Sequence, residues 1–140
     1  MYHITGELMK TLYISDLDGT LLNSDETLSE YTATNLNKLL DDGVVFSFAT
    51  ARSYTTAKKV TPSLKMKYPA VVHNGTFIVD KDGKIIAKNT FEKHDATQII
   101  DTLLNSGVNP VVYSLIENRE QFSFVREKMN KEKQTRSQKL

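Results

Sequence analysis

The chain has 140 residues, of which 39% are hydrophobic and 25% charged, with a formal net charge of +1 and no cysteine. This composition is typical of one ordinary globular domain. It excludes disulfides, thiolate metal sites and a strong electrostatic attraction to nucleic acid. No apolar run reaches the length of about 18 residues that a membrane-spanning helix requires, and the N-terminus lacks a signal-peptide apolar region. We therefore expect a cytoplasmic protein with no nucleic-acid or membrane partner.

The first half of the sequence alternates between strand and helix patterns. A capping box of Thr27 and Glu30 predicts the start of one helix, which Gly43 ends, and Ser53 caps a second helix that reaches Val60. Three short apolar runs predict strands, at residues 11–16, 44–49 and 70–73. This strand–helix–strand–helix–strand order predicts a parallel sheet with right-handed crossovers.

The second half has an antiparallel character. Asp82-Gly83 between two apolar runs predicts a β-hairpin. Residues 95–106 predict a helix, and residues 110–116 and 121–125 predict a second pair of antiparallel strands. We therefore place a module boundary near Asn74-Gly75.

The two ends of the chain lack this patterning. Residues 1–8 precede the first strand, and we expect them to form an N-terminal extension. Residues 126–140 contain six Lys or Arg and two Glu but little apolar pattern. We expect a basic polar tail there, either a solvated helix or a disordered segment.

Two carboxylates, Asp16 and Asp18, follow the first strand at a spacing of two residues. Side chains at this spacing on an extended chain point the same way, and function in open α/β sheets usually lies at the carboxyl ends of strands. Two carboxylates suit a hard cation such as Mg2+, which binds through one or two of them plus phosphate oxygens. One carboxylate can also attack phosphorus while the other transfers a proton. On the pair alone, an acid-rich turn without function stays open as the alternative.

The seven-residue segment that contains this pair favours a function over an acid-rich turn without one. Asp16-Leu17-Asp18-Gly19-Thr20-Leu21-Leu22, after an apolar strand, resembles the first signature of the haloacid dehalogenase (HAD) superfamily. Gly19 permits a tight turn in this segment, and Thr20 can hydrogen-bond back to hold it. The resemblance implies that Asp16 is the nucleophile and forms an aspartyl phosphate. It further implies that Asp18 is the general acid/base, and that Mg2+ is held by the Asp16 side chain and the Asp18 carbonyl.

Two other segments resemble further parts of the HAD pattern. Phe48-Ala49-Thr50-Ala51-Arg52 is similar to the second signature, where the Thr50 hydroxyl and the Ala51 N–H would hold phosphoryl oxygens beside a helix N-terminus. Many relatives have Gly at the position of Ala51, whose Cβ restricts the turn slightly. Arg52 is a further candidate phosphate contact. Asn74-Gly75 resembles the hinge into the C2 cap of Cof-type members (subclass IIB), where the Asn positions the site.

The resemblance implies an α/β fold, in which a Rossmann-like parallel half-sheet (the HAD core) is followed by the start of an α+β cap. We assign residues 9–75 to the core and residues 76–125 to a partial C2 cap. The family's third signature, a Lys, and its fourth, a Gly-Asp-x-x-Asn-Asp segment, have no counterpart in the expected context. We therefore expect a chain truncated before these motifs, with little phosphatase activity alone and with its first strand at an exposed sheet edge.

The implied function is that of a magnesium-dependent phosphohydrolase acting on a small phosphorylated metabolite. Two alternatives stay open. One is a phosphomutase of the same superfamily, and the other is a catalytically inactive fragment that binds phosphate ligands or a complementing chain. A receiver-type phospho-acceptor domain is disfavoured, because its nucleophile follows the third strand and here that strand ends in His73-Asn74-Gly75.

Overall fold

The computed structural model describes residues 11–116 and 119–125. The predicted extension at residues 1–8 and the predicted tail at residues 126–140 lie outside the described residues. The chain divides into two compact units, residues 1–90 and residues 91–140. The core–cap boundary between residues 75 and 76 is a functional division, and it stays a prediction.

The first unit contains the predicted strand–helix alternation followed by a hairpin. Its elements are β1 (Leu12–Ser15), α1 (Glu30–Asp41), β2 (Val45–Phe48), α2 (Tyr54–Val60), β3 (Ala70–Val72), β4 (Phe77–Val79) and β5 (Ile85–Lys88). Two single helical turns, Leu17–Leu21 and His73–Gly75, directly follow β1 and β3. The segments with the predicted site residues are therefore turns at strand ends.

The strands of the first unit combine parallel and antiparallel pairing. β1 and β2 pair in parallel along their whole length, and a parallel bridge between Ala49 and Val71 extends this arrangement to β3. β3 pairs antiparallel with β4, and β4 with β5. The predicted α/β fold with a Rossmann-like parallel core is confirmed. The predicted hairpin at Asp82-Gly83 is also present, and the Asp80 carboxylate holds its turn by accepting the Lys84 N–H at 2.9 Å.

The start of α1 differs from the sequence prediction. Ser29 caps the helix, because its hydroxyl oxygen accepts the Thr32 N–H at 3.0 Å. The predicted capping residue, Thr27, instead gives its N–H and its hydroxyl to the Asp25 carboxylate, at 3.1 and 2.6 Å. A side chain that satisfies the local backbone in this way competes with helix formation. The capping box of Thr27 and Glu30 was therefore a wrong prediction, although the cap of α2 at Ser53 is confirmed.

Two apolar clusters form the core of the first unit. The smaller cluster joins Leu40 of α1, Phe46 of β2 and Leu64. The larger cluster draws on the turn after β1, on α2 and on three strands, and consists of Leu17, Leu22, Phe48, Ala57, Ala70, Val72, Phe77 and Val79. Burying one large apolar side chain contributes about 1.5–3 kcal/mol to folding. Because Leu17 and Leu22 flank the turn that contains Asp18, the core fixes the position of that turn.

The strand β1 is much less buried than its neighbours. Its side chains Leu12, Tyr13 and Ile14 are 52%, 55% and 54% exposed, whereas Phe46 and Phe48 of β2 are 7% and 2% exposed. Among the described residues, β1 pairs with β2 alone. One edge and much of the apolar surface of β1 therefore face solvent.

The second unit contains one helix and one hairpin. The helix α3 (Lys93–Asn105) starts two residues before the predicted range, and the strands β6 (Val112–Ile116) and β7 (Arg119–Ser123) pair antiparallel. The Tyr113 and Phe122 rings face each other across this hairpin at 6.4 Å. In the part of the chain that the structure describes, no helix is both long enough and apolar enough to cross a membrane.

Candidate active site

The turn after β1 places the two acids differently from the extended chain that the sequence predicts. The Asp16 carboxylate accepts the Leu17 N–H at 2.7 Å and so caps the turn Leu17–Leu21. The turn closes where the Leu22 N–H donates to the Leu17 carbonyl at 2.9 Å, and Gly19 reaches a φ of +73° within it. Asp18 is thus part of a tight turn rather than one pleat further along the strand, which corrects the predicted local geometry.

Both acids nevertheless line one open cleft of about 430 Å³. The cleft lies where β1, β2 and β3 end, because parallel strands bring their carboxyl ends to one edge of a sheet. Its lining consists of Asp16, Asp18, Ala49, Thr50, Ala51, Val71, Asn74 and Gly75. The lining includes six of the nine predicted site residues. Of the other three, Gly19 and Thr20 belong to the turn that carries Asp18, and Arg52 contacts Asp18 directly.

Thr50 connects β2 to the other parts of the cleft. Its side chain is buried, with 5% of the residue exposed. Its backbone N–H donates to the Val71 carbonyl at 3.0 Å, and its carbonyl accepts the Asn74 N–H at 3.1 Å. The Thr50 hydroxyl oxygen accepts the Arg52 N–H at 3.2 Å. Because that oxygen already accepts a hydrogen bond, its own proton can donate to an oxygen in the cleft.

The turn after β3 has an unusual backbone. His73, Asn74 and Gly75 have φ values of +50°, +53° and +94°. Positive φ is rare for residues other than glycine, and Asn tolerates it better than most. The His73 N–H donates to the Arg52 carbonyl at 3.0 Å, which ties this turn to the end of β2. Asn74 and Gly75 therefore reach the cleft through a turn that suits their residue types.

Arg52 forms the main electrostatic contact of the site. Its Nε and Nη2 donate to the two Asp18 carboxylate oxygens at 2.8 and 2.6 Å, and Nη2 also donates to Glu26 Oε2 at 2.8 Å. The guanidinium hydrogen bonds, together with its charge, hold the pKa of Asp18 below its usual value. The two carboxylates in turn raise the pKa of Arg52, Asp18 most strongly.

Sequence reasoning missed Glu26. It lies in an exposed loop with a φ of +60°, and its contact with Arg52 joins residues 26 positions apart. No motif or periodicity in the sequence marks such a residue. The ion pair depends on where the loop and the end of β2 meet in the fold.

The donor set at the cleft fits a magnesium ion. Within residues 11–116 and 119–125, no three His, Asp or Glu side chains are grouped to hold a metal. Magnesium does not require such a group, since one or two carboxylates, waters and phosphate oxygens complete its shell. The Asp16 carboxylate is one such donor at the cleft, whereas the Asp18 carboxylate is paired with Arg52. The Asp16 side chain and the Asp18 backbone carbonyl stay the predicted magnesium ligands.

A model of one protein family matches most of this chain. Its description is haloacid dehalogenase-like hydrolase, and the match covers residues 13–140. The chain therefore belongs to the haloacid dehalogenase-like hydrolases. The resemblance drawn from the three motifs is confirmed.

Solved structures have the same fold. A haloacid dehalogenase-like hydrolase from B. subtilis matches with a TM-score of 0.65 and 29% identity, over 76% of this chain and 38% of that one. A Thermotoga maritima protein matches with a TM-score of 0.67, over 94% of this chain and 47% of that one. At 23% identity the second match shows the fold alone.

Several relatives are similar in sequence as well. The 5-amino-6-(5-phospho-D-ribitylamino)uracil phosphatase of Bacillus subtilis is 38% identical over 63 residues, which are 45% of this chain and 23% of that protein. The HMP-PP phosphatase of Yersinia enterocolitica is 35% identical over 75 residues, 54% of this chain and 28% of that protein. A Buchnera aphidicola relative is 33% identical over 107 residues, 76% of this chain and 40% of that protein. The chain thus spans less than half the length of these relatives.

Proposed function

We propose that this chain carries the nucleophile and part of the phosphate site of a magnesium-dependent phosphohydrolase that acts on a small phosphorylated metabolite. The observation that supports this most directly is the cleft in which Asp16, Asp18, the Thr50 hydroxyl and Asn74 converge. Two relatives named as phosphatases of small phosphorylated compounds support the substrate class.

The proposed reaction has two steps. An Asp16 carboxylate oxygen attacks phosphorus, the ester P–O bond breaks, and the leaving oxygen takes a proton from the Asp18 carboxyl group. Water then attacks the phosphoryl group of the aspartyl phosphate and gives a proton to Asp18, which releases orthophosphate and restores Asp16. A magnesium ion, when bound, would neutralise charge on the phosphoryl oxygens.

The other residues of the cleft bind and orient the phosphoryl group. The Thr50 hydroxyl and the Ala51 N–H donate to its oxygens, and Asn74 holds its position through the backbone bond to Thr50. Arg52 is a third donor, and it must leave Asp18 before Nε and Nη2 can bind a phosphate as a bidentate pair, because both are engaged there. The same departure removes the contact that holds the pKa of Asp18 below its usual value, and so favours the protonated form of this carboxyl group.

Phosphate binding without turnover is the second candidate function. It is favoured over turnover by the bidentate pair of Arg52 and Asp18, which engages the acid/base carboxylate and holds its pKa below the usual value. The expectation of little turnover by the 140-residue chain alone, and of a complementing chain, stays a prediction.

Covalent labelling separates the two functions. The chain is incubated with Mg2+ and acetyl phosphate, and intact mass spectrometry counts the phosphoryl groups attached. We expect one group on the parent chain, more accumulation on Asp18→Asn because hydrolysis is slowed, and none on Asp16→Asn. Asp42→Asn, which removes an exposed acid after α1, serves as the control and should label like the parent chain.

The results of the labelling experiment distinguish phosphoryl transfer to Asp16 from phosphate binding alone. Equal labelling of Asp16→Asn and the parent chain would show that Asp16 is not the nucleophile. No labelling in any variant, with orthophosphate binding retained, would favour the binding function. Rapid magnesium-dependent turnover of a phosphate ester that disappears in Asp16→Asn would contradict only the expectation of low activity.

A further inference from the structure

Arg52 is held between two carboxylates that come from different loops. Its Nη2 lies 2.6 Å from Asp18 Oδ1 and 2.8 Å from Glu26 Oε2. The Arg52 side chain is 19% exposed, whereas those of Asp18 and Glu26 are 45% and 70% exposed. The guanidinium therefore forms a largely covered link between the turn after β1 and the loop before α1.

The loop that presents Glu26 has its own backbone hydrogen bonds. The Glu26 N–H donates to the Asn23 carbonyl at 3.0 Å, and the Asn23 N–H donates to the Thr27 carbonyl at 2.9 Å. Glu26 itself has a φ of +60°, which is uncommon for a residue other than glycine. A sparsely populated backbone conformation that is held by surrounding hydrogen bonds is typical of functional positions.

The backbone of Arg52 is fixed at both of its polar groups. Its N–H donates to the Thr50 hydroxyl oxygen at 3.2 Å, and its carbonyl accepts the His73 N–H at 3.0 Å. These two hydrogen bonds hold the backbone of Arg52, so an exchange of hydrogen-bond partners involves its long side chain alone. That side chain starts one residue after Ala51, which lines the cleft.

The charges around the cleft disfavour an anion while Arg52 is paired. Asp16 and Asp18 line the cleft and Glu26 contacts Arg52, so these four side chains carry three formal negative charges and one positive charge. A phosphate dianion is bound best by a guanidinium that offers two parallel donors. The donors Nε and Nη2 cannot serve Asp18 and a phosphate at the same time.

We propose that Glu26 is a positioning residue that holds Arg52 in its contact with Asp18 and thereby sets the phosphate affinity of the cleft. When a phosphate anion enters beside Thr50, Nε and Nη2 move from the Asp18 carboxylate to phosphate oxygens, and Asp18 is released. Glu26 opposes this exchange because it binds the same guanidinium. The inference rests on the proposed function, since it concerns the same phosphate site.

Nuclear magnetic resonance titration with orthophosphate, with and without Mg2+, tests the exchange on the 140-residue chain. The backbone amide signals of Thr50 and Ala51 report occupancy of the cleft, and the Arg52 Nε–Hε signal reports the partner of the guanidinium. We expect Glu26→Gln to tighten phosphate binding about threefold, because the contact that is lost is an exposed ion pair and such pairs stabilise only weakly. The Arg52 Nε–Hε signal should shift on phosphate addition.

Two further variants separate the contact from the charge. Glu26→Asp keeps the charge and tolerates a positive φ, but its side chain is one methylene shorter and loses the contact with Arg52. We expect it to tighten phosphate binding nearly as much as Glu26→Gln. Glu30→Gln removes the same charge from the first turn of α1, and we expect it to bind phosphate like the parent chain.

The outcomes distinguish this inference from the proposed function. If phosphate shifts the Thr50 and Ala51 amides but Glu26→Gln binds like Glu30→Gln, the role of Glu26 is wrong and the phosphate site stands. If Glu26→Asp binds like the parent chain while Glu26→Gln binds more tightly, Glu26 acts by charge alone and the positioning role is wrong. If phosphate shifts neither amide in the parent chain, the proposed phosphate site fails and the inference fails with it.

Discussion

At the scale of single residues, the pair formed by Arg52 and Asp18 shifts the pKa of both partners. Arg52 lowers the pKa of Asp18 in the folded chain. A carboxyl group whose folded pKa is lowered adds stability above its unfolded pKa, and this stability is lost as the pH falls through the folded pKa. Asp18 is 45% exposed, so solvent screening limits the contribution to roughly 0.2–1 kcal/mol.

Removing the guanidinium should reverse this shift. We expect Arg52→Gln to raise the pKa of Asp18 toward its ordinary value, and Arg52→Lys to raise it less because a lysine keeps the charge but not the bidentate geometry. Carbon-13 titration of the Asp18 carboxyl group measures the change. Lys67→Gln is the matched control. Lys67 lowers the pKa of Asp41 through a pair at 2.6 Å, so its removal should raise the pKa of Asp41 and leave that of Asp18 unchanged. An Asp18 pKa that stays unchanged in Arg52→Gln would contradict the bidentate contact.

The sequence allowed the prediction of which residues at the strand ends meet in the cleft. Asp16, Thr50 and Asn74 each follow an apolar run, and parallel pairing brings such positions to one edge of a sheet. The partner of Arg52 could not be predicted in the same way. Its contacts with Asp18 and Glu26 depend on loop geometry that no periodic pattern in the sequence records.

At the scale of elements, a tyrosine of α2 binds the turn of the hairpin formed by β4 and β5. The Tyr54 hydroxyl donates to the Lys81 carbonyl at 2.8 Å. A Cβ added to Gly83 would lie within 2.6 Å of Tyr54 Cδ1, so the Tyr54 ring could yield only by giving up its hydrogen bond. The hairpin thus depends on a glycine that both accepts a φ of +86° and leaves room for the ring.

Substitution of this glycine should cost more than substitution of a glycine in open space. Gly43 has a φ of +90° and no atom within 4 Å of an added Cβ, so Gly43→Ala measures the backbone cost alone. We expect Gly83→Ala to lower the free energy of unfolding by about 1–2 kcal/mol more than Gly43→Ala, because steric overlap in a packed contact costs this much. Urea denaturation measures both values. Equal losses in the two variants would show that the Tyr54 contact yields without cost.

The residues that begin and end the helices were predicted with mixed success. Ser53 at the start of α2 and Gly43 after α1 were predicted correctly, because each acts through its own backbone and side chain. The start of α1 was misplaced because Asp25 competes for the hydrogen-bond donors of Thr27. A capping pattern does not reveal which of two neighbouring polar side chains binds the backbone.

At the scale of the whole molecule, the confirmed fold places most of the predicted site in one cleft but leaves β1 exposed. The side chains of Leu12, Tyr13 and Ile14 are each more than half exposed. Among the described residues, β1 has β2 as its one strand partner. An exposed apolar strand with an unpaired edge is a template for pairing with another chain. The arrangement that assembles the cleft therefore also creates a surface suited to association.

We accordingly expect the 140-residue chain to associate as its concentration rises, and we expect Tyr13→Lys to reduce this association because a charged side chain on an edge strand blocks pairing. Light scattering coupled to size-exclusion chromatography measures the mass across a concentration series. Tyr31→Lys is the matched control, since Tyr31 is 80% exposed but lies on the helix α1. A parent chain that stays monomeric throughout, or equal effects of the two substitutions, would contradict pairing through β1, because only Tyr13 belongs to that strand.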